Sequence, residues 1–372
     1  MITALDRARG CLLGLAVGDA LGHPTEFVPS LAAIRSRWGP QGVTDFEPAG
    51  RHPAGTYTDD TQMALCVARA LIRSGHDTLD ALMATLGEEF VAWSRSPRNN
   101  RAPGGTCLAG CRALARGVAW QSAGVKGSKG CGAAMRAAPV GFFYADRLDA
   151  MLSVSAAQST LTHAHPTAIA SGVAAAACVA WVCRGASYEG LIDFTLECVK
   201  WLTDERLVYL GCDPRMVEHL GVSEMVEALE RTALGLQEPP VDDVCQLLGE
   251  AWVGEEAVAC ALECALRAGD DFGAAVLRGA NSGGDSDSIA CIAGSLAGAR
   301  LGPEAIAERW RSGLEDSARI EALAEALTRA RAGEPVHLDA SLDFFDVASL
   351  ARGDAASWRD DSASSGWGGT KS

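Results

Sequence analysis

Along most of this chain the apolar residues recur three or four positions apart, and runs that alternate with polar residues are few. The pattern predicts helices and an all-α fold. A first helix is expected over 4–21, where Gly10, Gly14, Gly18 and Gly22 recur every four residues and would let a second backbone approach one face. From 22 to 57, five prolines and repeated glycines predict a loop with at most short helical pieces, a length that usually signals function. Helical spacing resumes over 61–73, with Thr58 as the expected N-cap and Gly75 as the stop, then over 78–93 and 106–120.

The stretch RSPRNNRAPGGT (95–106) is rich in turn formers, and the loop 124–132 carries four glycines. Helices are expected over 150–160, 166–184 and 188–203, with Pro166 placed for a first turn. The run 168–183 is uncharged but shorter than the ~20 residues of a bilayer span, so it reads as a buried helix and no membrane association is expected. Residues 204–250 show no readable period. Helices return over 252–268, 271–280 and 289–301, where Ala290, Gly294 and Gly298 repeat the small-residue spacing, and 303–332 reads as a charged amphipathic helix or pair. No solenoid repeat is present. The organisation expected is one helical domain over 1–354 and a polar, glycine- and serine-rich tail over 355–372 that frays.

Composition narrows the partners. The chain has 372 residues, 48% hydrophobic, with a net charge of -15 and a pI near 4.9, which argues against binding a nucleic-acid backbone. A compact anionic ligand is compatible with this balance if metals or backbone amides hold it. Thirteen cysteines without a CxxC pair, some at helical spacing such as Cys107 with Cys111, read as reduced, buried thiols and a cytoplasmic protein. No oligomeric state is read from the sequence.

Two stretches carry chemistry. Thr58-Asp59-Asp60-Thr61 and Gly283-Gly284-Asp285-Ser286-Asp287-Ser288 each follow glycine and precede an apolar helix. Either alone reads first as a helix N-cap, where Ser, Thr and Asp are favoured. Together, Thr58, Asp59, Asp60, Asp285, Asp287 and Ser288 supply six oxygen-bearing side chains, the donors that magnesium and manganese prefer and enough for two ions completed by water. Glu26, in the long loop, reads either as a solvated carboxylate or as a group suited to glycosidic chemistry.

The runs GCLLGLAVGDALG (10–22), GTYTDDTQMAL (55–65), RAPGGTCL (101–108), GSKGCGAAMRAAPVG (127–141), LTHAHP (161–166) and ANSGGDSDSIACIAGSLAGARLG (280–302) together resemble the ADP-ribosylglycohydrolase family. The family includes dinitrogenase reductase-activating glycohydrolases and vertebrate ADP-ribosylhydrolases. The resemblance implies a single orthogonal multi-helix domain with a binuclear centre of two Mg2+ or Mn2+ ions, and hydrolysis of the glycosidic bond between ADP-ribose and an acceptor such as a protein arginine or serine. It assigns the six donors above as metal ligands, with serine at 288 where many members have threonine. Glu26 matches the family's mobile glutamate near the reacting sugar, and Asp285 is the expected proton acceptor. Ser128, Lys129, Gly130, Cys131 and Gly132 match the pyrophosphate-contacting segment, with Cys131 where several relatives carry asparagine, and His163 matches a histidine at the ribose or diphosphate. His165 reads as structural, and Arg136 as an internal ion-pair partner or a ligand contact. Two alternatives stay open: a hydrolase of a small ADP-ribose conjugate, and a binding protein without turnover.

Overall fold

In the computed structural model, which describes residues 2–345, the first helix runs Ala4–Gly22 and lies along Ser286–Leu301. A Cβ at Gly10, Gly14 or Gly18 would collide with the carbonyl of Gly298, Gly294 or Ala290 in turn. The two helices therefore meet backbone to backbone. Each glycine costs about 1 kcal/mol of helix propensity, which the close packing offsets. Helices Asp59–Ser74, Ala138–Phe143, Phe272–Ala280 and Ser317–Arg331 pack around this pair.

A second hub is Pro166–Cys183, covered by Leu148–Thr160, Leu191–Lys200 and Gly254–Ala268. Its length and hydropathy would suit a membrane span, but 94% of it is buried inside the fold, as a core helix is. Among the described residues no strand forms. Two isolated bridges, Val125 with His163 and Gly130 with Val253, tie the glycine loop to its neighbours.

The all-α expectation holds, and several boundaries move for local reasons. The helix expected over 106–120 stops at Ala115, because Gly117 at φ +79° turns the chain and the Val118 N–H bonds back to the Ala113 carbonyl. The helix expected from 188 starts at Leu191, after Gly190 at φ +76°. Residues 204–250 hold Asp204–Tyr209, Pro214–Leu220, Ser223–Gly235 and Cys245–Leu248. Three of these span two turns at most, too short to display a 3.6-residue period. The segment 303–332 divides into a 3-10 turn and the helices Glu308–Gly313 and Ser317–Arg331. The expected tail over 355–372 lies outside the described residues. All thirteen cysteines are free.

Candidate metal centre and active site

The two acidic clusters converge. Thr58 Oγ1 lies 3.3 Å from Asp287 Oδ2 and 3.4 Å from Asp60 Oδ2. The Ser288 hydroxyl donates to Asp60 Oδ1 at 2.8 Å. All six side chains are buried although their sequence positions differ by more than two hundred.

The competing N-cap reading is tested by where these side chains spend their hydrogen bonds. Asp285 stands at the N-cap of Ser286–Leu301 and makes no side-chain cap bond. Thr58 accepts only a long 3.4 Å bond from the Asp60 N–H. The start of Asp59–Ser74 is held instead by Asp19 of the first helix. Its buried carboxylate accepts from Thr58 N–H at 2.9 and 3.0 Å, from Thr61 N–H at 2.9 Å and from the Thr61 hydroxyl at 2.5 Å. The other helix start is held by backbone contacts and by Asp287 Oδ1, which accepts from the Ser288 N–H at 2.9 Å. Asp285 N–H donates to the Glu250 carbonyl at 2.8 Å, and Ser286 Oγ to the Gly22 carbonyl at 3.1 Å. Gly22 is needed for this approach, because a Cβ there would strike the Asp287 backbone.

Asp19 is the functional residue that sequence reading missed. Its signal was present as an acid inside the glycine-striped, otherwise apolar run of the first helix, a position where burial demands partners.

Glu26 sits in the turn that closes the first helix, its N–H bonded to the Gly22 carbonyl. Only 8% of it is exposed, so it is not a solvated loop carboxylate, and its Oε2 is buried without a hydrogen-bond partner. One oxygen each from Glu26, Asp285 and Asp287 lie within 4.8 Å of one another. Burial, then the charges of Asp285, Asp59 and Asp19, pushes the Glu26 carboxyl up to about 9. Burial, opposed by the Gly104 N–H and reinforced by Asp19 and Asp285, pushes Asp59 up to about 7. Burial is also the main cause that raises Asp60, Asp285 and Asp287. Two cations of the neighbouring loops are engaged elsewhere, Lys129 by Glu224 with Glu255 and Arg101 by Glu315. Carboxylates crowded together out of water, with an orphaned oxygen among them, fit divalent cations as the missing counter-charge.

Glu26, Asp59, Asp60, Asp285 and Ser288 line a cavity of about 350 Å³ together with Gly104, Gly130, Cys131, Gly132 and His163, while Thr58 and Asp287 lie behind its wall. Gly104 N–H donates to Asp59 Oδ2 at 3.1 Å, bringing the RAPGGT turn to the site. Gly130, Cys131 and Gly132 face the cavity, whereas Ser128 and Lys129 stand outside its wall. Ser128 Oγ pairs with Thr106 Oγ1 at 2.9 Å, and Lys129 Nζ with Glu224 at 2.9 Å and Glu255 at 2.5 Å. The Cys131 N–H bonds to the Trp252 carbonyl at 3.3 Å, fixing the loop against the segment before Gly254–Ala268. At the mouth Phe27 and Trp252, both exposed, stack with centroids 6.0 Å apart.

His163 is buried, and burial together with Arg136 pushes its pKa down to about 3, so it is neutral. Its Nδ1 lies 2.8 Å from Thr162 Oγ1, which already accepts from the Arg136 guanidinium at 2.8 Å. The Nε2 atom of His163 lies beside Gly130 and Gly132. Arg136 itself is wholly buried, bonded to Gln158 and stacked on Phe90, so it supports the wall and does not line it. His165 caps Pro166–Cys183 through Nδ1, a structural role.

In sequence and fold the chain is similar to known proteins. The sequence model of the ADP-ribosylglycohydrolase family matches residues 1–336. An ADP-ribosylarginine hydrolase, Tri1, of Pseudomonas putida is 30% identical over 350 residues, covering 91% of this chain and 82% of that protein. The ADP-ribosyl-[dinitrogen reductase] glycohydrolase of Rhodospirillum rubrum is 29% identical, covering 83% of this chain and 90% of its own. A solved structure described as an ADP-ribosylglycohydrolase-related protein complex superposes with a TM-score of 0.66 at 28% identity, covering 88% of this chain and 99% of that one. With the family's pattern matched over nearly the whole length and its acidic clusters joined in space, the chain belongs to the ADP-ribosylglycohydrolases.

Proposed function

We propose that this protein is a metal-dependent hydrolase that removes ADP-ribose from a protein side chain, arginine being the first acceptor to test because the Pseudomonas putida relative is named for ADP-ribosylarginine. The observation that carries the reading is the convergence of Thr58, Asp59, Asp60, Asp285, Asp287 and Ser288 beside Glu26, with Asp59, Asp60, Asp285 and Ser288 lining one cavity and the Asp285 carboxylate making no cap bond. Those six side chains would hold two Mg2+ or Mn2+ ions. When bound, the ions supply Lewis-acid polarisation of sugar hydroxyls and an acidified water.

The chain's own residues do the rest. Asp285 accepts the proton of the attacking water. Glu26 orients the ribose, and with Asp59 it faces the positive charge that develops on the sugar ring. The Gly130–Gly132 wall lies close to the diphosphate, and Nε2 of His163 hydrogen-bonds to the diphosphate or the ribose. The free thiols favour a reducing, cytoplasmic setting for this reaction.

The test is release of ADP-ribose from arginine- and serine-modified peptides and from a small ADP-ribose conjugate, with Mg2+ or after chelation. Metal-dependent release from a peptide, lost in Asp285→Ala, is expected. Release from the small conjugate alone moves the activity to small molecules. Absence of turnover on every substrate leaves a binding protein.

A further inference from the structure

Beside the catalytic cavity lies a second cleft, also of about 350 Å³. Phe27, 71% exposed, and Ala102 line both and form the ridge between them. Ala102 is held at φ +51°, a left-handed conformation uncommon outside glycine. The cleft is lined further by His23, Arg37, His52, Asn100 and Arg101, and by no carboxylate, although the chain as a whole carries a net charge of -15. Such a local reversal of sign focuses anions. The Arg37 guanidinium lies over the Trp38 ring, 4.3 Å from its centroid, and among the described residues it has no carboxylate partner. Arg101 is only 8% exposed. Its Nη groups donate to the Tyr57 carbonyl and to Glu315, while its Nε–H is buried without an acceptor. A buried donor left unmatched is costly unless a ligand completes it. Around it Arg98, Arg101 and Arg319 share Glu315 and Asp316, three guanidiniums on two carboxylates, which leaves one positive charge over.

Position decides which anion the cleft takes. It meets the catalytic cavity on the side of Glu26, through Phe27, and of the RAPGGT turn, through Ala102. Gly130, Cys131, Gly132 and His163, at the end proposed for the diphosphate, do not line it. A ribose seated at Glu26 with its diphosphate toward Gly130–Gly132 directs its acceptor the other way, past Phe27. We infer that the cleft of Arg37 and Arg101 is an acceptor subsite, which takes the carboxylate of an aspartate or glutamate standing near the modified residue of the substrate protein. Arg37 supplies the exposed charge and Arg101 the buried one. The subsite makes the enzyme selective for acidic surroundings of the modified residue, and it acts on the acceptor without touching ADP-ribose.

This inference rests on the hydrolase reading above, and the experiment separates the two. Peptides carrying ADP-ribose on arginine or on serine, each with Glu, Gln or Lys beside the modified residue, are given with Mg2+ to the full chain, Arg37→Met and Arg37→Glu, and kcat/KM is measured at low and at high salt. Wild type should favour the Glu peptide over the Gln peptide by about fivefold at low salt, and by less at high salt. In Arg37→Met the two should agree within about twofold, and in Arg37→Glu the order should reverse, with the Lys peptide preferred. Each ratio is taken within one variant, so any loss of folded protein cancels. Equal kcat/KM for the Glu, Gln and Lys peptides in wild type overturns the subsite and leaves the hydrolase standing. A preference for Glu that survives in Arg37→Glu overturns it as well. Equal slowing of all three peptides in Arg37→Met assigns the cleft to the ADP-ribose they share and overturns the acceptor assignment. Release from no peptide overturns the hydrolase reading and this inference with it.

Discussion

At Asp59–Ser74 the helix start is gripped by a side chain, the buried Asp19 carboxylate that takes the Thr58 and Thr61 N–H groups. At Ser286–Leu301 it is gripped by backbone, through the Asp285 N–H on the Glu250 carbonyl and through glycines that let neighbouring chain close in. Only part of the capping falls on the assigned ligands: Asp287 Oδ1 accepts from the Ser288 N–H at 2.9 Å and Thr58 from the Asp60 N–H at 3.4 Å, while the Asp59, Asp60 and Asp285 carboxylates cap neither helix. An acidic helix start becomes a metal site when something else does its capping.

The comparison can be broken from either side. Asp19→Ala removes the acceptor of two buried N–H groups and a hydroxyl, and is expected to cost about 4 kcal/mol in urea unfolding of the metal-free protein. A loss below about 1 kcal/mol would mean that water or Thr58 caps the helix as well. Gly284→Ala drives a Cβ into the Glu250 backbone and should cost about 2–3 kcal/mol while also weakening Mn2+ binding, because Asp285 is displaced. Unchanged metal affinity in that variant would show that Asp285 is placed by something other than this backbone contact.

The crowding of carboxylates gives a pH test. Burial holds the folded pKa of Glu26 at about 9 and of Asp59 at about 7, against 4.5 and 3.8 for the ordinary groups. Folding therefore favours the protonated forms. This contribution is complete below the ordinary values and is lost as pH rises toward the raised ones. Thermal unfolding of the metal-free protein should show wild type losing stability relative to Glu26→Gln between about pH 4.5 and 9. Added Mn2+ should reduce that loss, since the ion supplies the missing counter-charge. The smallest effect is expected at Lys129, whose ammonium is held by Glu224 and Glu255 outside the cavity wall. Lys129→Met should cost about 1 kcal/mol in unfolding and change ADP-ribose affinity, measured by calorimetry, by less than about threefold.

The same contrast explains what the sequence disclosed. The glycine stripe and the six oxygen donors are legible because spacing and residue type mark them. Long helices such as Pro166–Cys183 are legible because several turns repeat the period. Asp19 was not read because an acid in an apolar helix gains meaning only from Thr58 and Thr61, forty residues away in the chain. Lys129 reads as a phosphate cation in the glycine loop, yet Glu224 lies in the stretch 204–250, where short helices hide their period. The burial of Glu26 and the Cys131 contact with Asp285 are tertiary facts that no local pattern encodes.

The central claim is that two clusters more than two hundred residues apart form one centre. Calorimetric titration of Mn2+ into Asp60→Asn and Asp287→Asn, one substitution from each cluster, tests it most directly. The account predicts that each variant alone weakens binding by at least about a hundredfold, because an ion placed between the clusters loses a ligand either way. Wild-type affinity in Asp60→Asn alongside lost binding in Asp287→Asn would contradict it, leaving the first cluster a capped helix and the second the whole site.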